Sequence, residues 1–209
     1  MSFQLTMTRV AFMAMLLISL GLVVHASPIA APESSNEPAG VEERGGSCYG
    51  NYCYGGMEME SMLLQFQKHM EIKLIELDGC MKGGNYHKVI LEMEQIILVV
   101  CGAIKGYKVG LIGLLTGKLL IIAKIWFSIV MSIATHCGKW YGHPEFPAFC
   151  LLITKIDAAC KLCLLSIINC GGIFGGFLRI CIGLFTKAHV AVLLKIKFYS
   201  LLGALGIKY

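Results

Sequence analysis

Charge is scarce in this sequence. Only 15% of its 209 residues are Asp, Glu, Lys or Arg, where soluble domains carry about 25%. A charge-rich disordered chain is therefore excluded for the body, and an ordinary water-soluble enzyme is not expected. Proline is also sparse: of five, none lies between Pro38 and Pro144 and none follows Pro147, so long stretches hold no helix breaker of that kind. Carboxylates nearly vanish after Lys105, where only Glu145 and Asp157 remain. No Asn-x-Ser/Thr glycosylation site is present. The back half has no uncharged run of the eighteen or so residues that mark a spanning helix; its longest is 162–178, interrupted by glycines and Asn169.

What is abundant is apolar surface. Hydrophobic residues make up 56% of the chain and the mean hydropathy is +0.72. The length suits one domain with a sizeable core. Residues 1–26 read as a secretory signal: a polar start with Arg9, an apolar run from Ala11 to Val24, and small residues at the exit, with cleavage expected after Ala26. All ten cysteines, Cys48, Cys53, Cys80, Cys101, Cys137, Cys150, Cys160, Cys163, Cys170 and Cys181, lie beyond that point. In an oxidising compartment this predicts at least two disulfides, with the pairing left open. Residues 27–56 are expected to be a disordered acidic linker that ends in a Cys/Tyr/Gly loop, CYGNYC, which its own cysteines could close.

From residue 57 the pattern turns helical. Met59, Leu63, Phe66, Met70, Leu74 and Leu77 recur at alternating spacings of three and four, which predicts a helix over 57–77 with one apolar stripe. Glu60, Lys68, Glu71 and Glu76 fall off that stripe. A second amphipathic helix is expected over 87–104, after breaks at Asp78-Gly79 and Gly83-Gly84. Further helices are expected at roughly 107–137, 148–170, 173–186 and 188–203. The fold class is thus all-α: a disulfide-supported, hydrophobic bundle of five or six helices within 57–209, able to insert into a membrane.

The two parts of that domain differ in sign. Residues 27–104 hold five basic and eleven acidic groups, a net of −6; residues 105–209 hold eleven lysines and Arg179 against two carboxylates, a net of +10. An acidic amphipathic front is joined to a basic, very apolar back. The window 119–138 gains roughly 4 kcal/mol from its aliphatic and aromatic residues in a bilayer and loses up to about 3 at Lys124. The window 162–181, with Arg179 near its edge, is similar. Three GxxxG spacings, Gly106-Gly110, Gly113-Gly117 and Gly172-Gly176, suit close helix packing in lipid. Candidate membrane-contact residues are Lys118, Lys124, Trp126, Phe127, Phe174, Phe177, Arg179 and Lys187, with an anionic bilayer as the expected partner.

Catalytic and metal motifs fail on spacing. Cys160 and Cys163 form a CxxC, but inside an apolar helical run with no preceding strand. His136, Cys137, His143 and Cys150 match no zinc module, and no metal or other cofactor is expected. GLLTGKLL (113–120) has three residues between its glycines and Leu after its lysine, so it is not a phosphate loop. Glu92 and Glu94 project about 200° apart on one helix, and Glu145 and Asp157 show no pairing signal. The chain reads as neither an enzyme nor a nucleic-acid binder, because its cations are diluted among aliphatics, and no small-molecule substrate is evident.

SIATHCGKWYG…FCLLITKIDAACKLCLLSIINCGGIFGGFLRICIGLF (132–185) resembles a group of uncharacterised secreted, hydrophobic, Cys-containing proteins of plant-associated basidiomycete fungi, often described as transmembrane proteins. The shared features are the leader, Cys137-Gly138, Lys155-Ile156-Asp157 and Asn169-Cys170 followed by glycines. The resemblance implies an extracellular role and brings no named activity or site. The expectation is a non-enzymatic secreted protein that associates with or inserts into membranes through its Lys-bearing helices. Two alternatives stand beside it: a soluble secreted bundle that acts on a protein partner, and a resident multi-span membrane protein. An oligomer is compatible with each.

Overall fold

The computed structural model describes residues 47–54, 58–107, 118–171 and 174–208, with backbone alone at 47, 170, 171, 174 and 175. The leader, its cleavage point, nearly all of the acidic linker and two of the three GxxxG spacings lie wholly or partly outside the described residues; so does Gly172 of the third.

Periodicity sets the first helix, α1 (Met59–Gly79). All six stripe residues are buried, and Met62 joins them from the edge of the stripe. Burying a side chain of that size stabilises by about 1.5–3 kcal/mol. A 3-10 turn, Cys80–Lys82, follows and ends at Gly83 with φ 110°, a conformation that side chains rarely adopt. At Gly84 a Cβ would lie 2.9 Å from the Cys80 Cα, so the second glycine is required by close approach. Asn85 then caps α2 (Tyr86–Lys105): its side-chain oxygen accepts the Lys88 N–H at 3.2 Å.

The back half supplies α3 (Lys118–Gly138), α4 (Phe146–Gly171), α5 (Phe174–Leu184), α6 (Lys187–Lys195) and α7 (Tyr199–Ala204). The single helix expected over 188–203 is in fact two. Lys197 adopts φ 63°, its N–H donates to the Leu194 carbonyl, and the Phe198 N–H reaches back to Leu193. This is a Schellman ending with lysine where glycine is usual, fixed by the burial of both Leu193 and Phe198. Seven helices are therefore formed among the described residues, and the fold is an all-α bundle.

The expected Cys/Tyr/Gly loop is a small antiparallel hairpin, β1 (Ser47–Tyr49) and β2 (Tyr52–Tyr54), in which Cys48 lies opposite Cys53 and is disulfide-bonded to it. It packs on α2 and, through Tyr54, on α1, where Tyr54 and His69 Nδ1 are 2.6 Å apart.

Helix α1 lies along α3 and α2 along α4, with α5 wedged between α3 and α4, α6 on α3 and α7 on α4. Both long pairs run parallel. Glu58 meets Lys118 where α1 and α3 begin, Gln67 meets Ser128 at 3.3 Å midway, and Asp78 meets Lys139 where both end. Likewise the Tyr86 ring lies 5.8 Å from Phe149 near the starts of α2 and α4, and Cys101 approaches Ala159 further along. The acidic front thus covers the basic back within one compact unit, Glu42–Tyr209.

Candidate membrane-contact surface

The site begins with the cations. Every ion pair among the described residues draws on a front-half carboxylate: Glu58, Glu76, Asp78 or Glu92. Two of these carboxylates clasp the α1–α3 seam. Glu58 holds Lys118, while Asp78 holds both Lys139 and His136, the latter at 3.0 Å. Ion pairs that water still reaches, as it does these, contribute about 0–1 kcal/mol each, so the clasp is weak. Lys124, Lys155, Arg179 and Lys187 are exposed and make no ion pair with another described residue.

The outward faces of the back helices set these cations among aliphatics. On α3, Leu120 and Ile121 are exposed one turn before Lys124. On α4, Leu151 (74% exposed), Lys155 and Leu162 fall within about 40° of one line along the helix. On α5, Arg179 and Ile182 are neighbours one turn apart. At the end of α6, Lys195 sits 4.2 Å above the ring of Tyr141, exposed in the turn between α3 and α4. Lysine and arginine stems can lie along such apolar surface while their heads reach an anionic layer.

Of the residues predicted from sequence, Lys124, Arg179 and Lys187 are on the surface and Lys118 is half-buried in its ion pair. Trp126 and Phe177 are corrections: both are core residues, 1% and 2% exposed. Trp126 packs edge-on to Phe185 at 6.4 Å. Phe127 is half-buried between Phe185 at 4.9 Å and His189 at 5.1 Å. These aromatics lie on the face of α3 that receives α5 and α6, and aromatic burial is worth more there than exposure. The Phe174 side chain lies outside the described residues. Leu151, Lys155 and Leu162 are not among the membrane-contact candidates read from sequence, although their spacing alone would place them on one face.

The remaining candidates are structural. Cys160 and Cys163 are buried within α4, and burial above all pushes the Cys160 thiol up, the opposite of a reactive redox cysteine. Of the two or more disulfides expected, the described residues hold one, Cys48–Cys53; Cys80, Cys101, Cys137, Cys150, Cys160, Cys163 and Cys181 are unbonded, and the Cys170 side chain is not described. His136 is held by Asp78, and His143 meets Trp140 edge-on at 5.0 Å. No group of three or more metal-ligating side chains converges among the described residues. Asp157, 2% exposed, accepts the Ser200 and Leu201 N–H groups at 2.8 and 2.9 Å and so anchors the start of α7 on α4. Glu92 bonds Lys73 and Lys88.

Among the described residues one helix, α3, is long and apolar enough to cross a membrane, and 44% of its apolar window is buried inside the fold. The stretch 176–195 passes the same test only as a pair bent by 85°. No family model, curated protein or solved structure matches the chain.

Proposed function

We propose that this chain is a non-enzymatic secreted protein that associates with anionic membranes through the basic, aliphatic faces of its back helices. The reading is supported above all by one observation: Lys124, Lys155 and Arg179 are exposed beside Leu120, Ile121, Leu151, Leu162 and Ile182 without a carboxylate partner among the described residues. An anionic leaflet attracts each such cation by about 1 kcal/mol, and the neighbouring aliphatics add apolar burial at the headgroup boundary. The front helices keep the rest of the back half covered in water. At a bilayer, headgroup phosphates compete with Glu58 and Asp78 for Lys118 and Lys139, which loosens α1 from α3 and lets the apolar side of α3 turn toward lipid.

Flotation with phosphatidylcholine vesicles, with and without phosphatidylserine, tests this. Binding is expected only with phosphatidylserine and is weakened by salt. The triple variant K124E/K155E/R179E loses about 3 kcal/mol of attraction, which is at least about 100-fold in partition. Indifference of the wild-type protein to anionic vesicles would overturn the reading. It would favour the second one, a bundle whose helices stay closed and act on a protein partner, for which the half-buried apolar window of α3 speaks.

A further inference from the structure

Six of the seven unbonded described cysteines are buried, and two of them face each other across the α2–α4 interface. The Cys101 and Cys163 thiols lie within hydrogen-bond reach of one another, and Cys101 Sγ also lies 3.9 Å from the Ala159 carbonyl, one turn before Cys163. The geometry points to a disulfide between Cys101 and Cys163 that fastens α2 to α4. The packing of α2 on α4 already brings these two side chains together across the interface. The competing pair within α4, Cys160 with Cys163, is held by the helix with Cβ atoms about 5–6 Å apart, beyond the ~3.5–4.5 Å that a disulfide requires.

The bond forms by thiol–disulfide exchange with a disulfide oxidant, either glutathione disulfide or the active disulfide of an oxidoreductase. One cysteine thiolate attacks a sulfur of the oxidant, forms a mixed disulfide and expels one thiolate. The second cysteine thiolate attacks the protein sulfur of that mixed disulfide and expels the other. Two electrons reduce the oxidant to two thiols, which take up the two protons that Cys101 and Cys163 release. Both residues are buried in the finished fold, so exchange takes place before α2 has closed onto α4. Once bonded, α2 stays on α4, and the α1–α3 seam is the one left to part at a bilayer; this consequence, unlike the bond, rests on the membrane reading.

The full chain is refolded with glutathione disulfide and glutathione, denatured in N-ethylmaleimide and digested without reductant. Mass spectrometry is expected to find the 101 and 163 peptides joined, two hydrogens lighter than the separate pair and free of maleimide. Maleimide on both cysteines overturns the proposal, as does either cysteine bonded elsewhere. The wild-type protein carries this test, so it does not depend on a variant that folds. As a second readout, reduction should lower Tm by about 10 °C more in the wild type than in C101A/C163A, which keeps the hairpin disulfide; equal shifts overturn it. Peptide mass reports on the bond and flotation on the membrane reading, so each can fail without the other.

Discussion

Asp157 is where a single atom group holds two distant parts of the chain together. Its carboxylate sits in the middle of α4 and accepts two backbone N–H groups 43 and 44 residues away, at the start of α7. Replacing it with alanine removes two charge-assisted hydrogen bonds, each worth about 1.5–3 kcal/mol. The two losses are unequal. Ser200 is exposed, so water can reach its freed N–H, whereas Leu201 is buried and its N–H is left with a desolvation penalty of about 1–3 kcal/mol. Against this, alanine removes a carboxylate from an almost fully buried site, which recovers part of the loss. The loss prevails, because the carboxylate is doubly hydrogen-bonded, and the net cost is about 2–4 kcal/mol. At about 2–4 °C per kcal/mol for a chain of this size, Asp157→Ala lowers Tm by roughly 5–15 °C. Asp157→Asn keeps one oxygen acceptor and should fall about midway. Thermal melts followed by circular dichroism give the magnitude, and amide exchange at Leu201 gives the location. An alanine variant within about 1 kcal/mol of wild type, with Leu201 still protected, would refute the reasoning.

Two further outcomes follow from single residues. Burial lowers the pKa of His69, the ring that meets the Tyr54 phenol. Because the folded protein binds this proton less readily than the unfolded chain, the contribution of His69 to stability falls as pH drops below its ordinary value of about 6.5. Wild-type Tm should therefore decline from pH 7 toward pH 5 more steeply than that of His69→Gln, and equal slopes would contradict the assignment. Lys197→Gly relieves a left-handed lysine between α6 and α7 and should raise stability by about 0.5–1 kcal/mol, less what the added freedom of glycine gives the unfolded chain. Urea denaturation checks this, and a destabilised variant would mean that the lysine stem contributes packing that outweighs the backbone strain.

Local period and local chemistry determined a good deal of this protein. The alternation of three and four that places Met59, Leu63, Phe66, Met70, Leu74 and Leu77 on one side of α1 is a property of helix geometry, and all six are in the core. The glycine pair at 83–84 and the Asn85 cap mark the first turn for equally local reasons. The charge split between front and back, too, is visible in the residues themselves. Tertiary structure alone decided which face of the back helices turns inward. Residues 118–138 and 146–171 are apolar on nearly every side, so their periodicity can group residues on a face but does not say which face turns inward, and Trp126 was as eligible for the surface as Leu120 until α5 and α6 covered it. The parallel pairing of α1 with α3 and α2 with α4, the break at Lys197 and the capping role of Asp157 depend on residues tens of positions apart meeting. No pattern within one helix carries that information, because the energy that selects those partners is earned only when both surfaces leave water together.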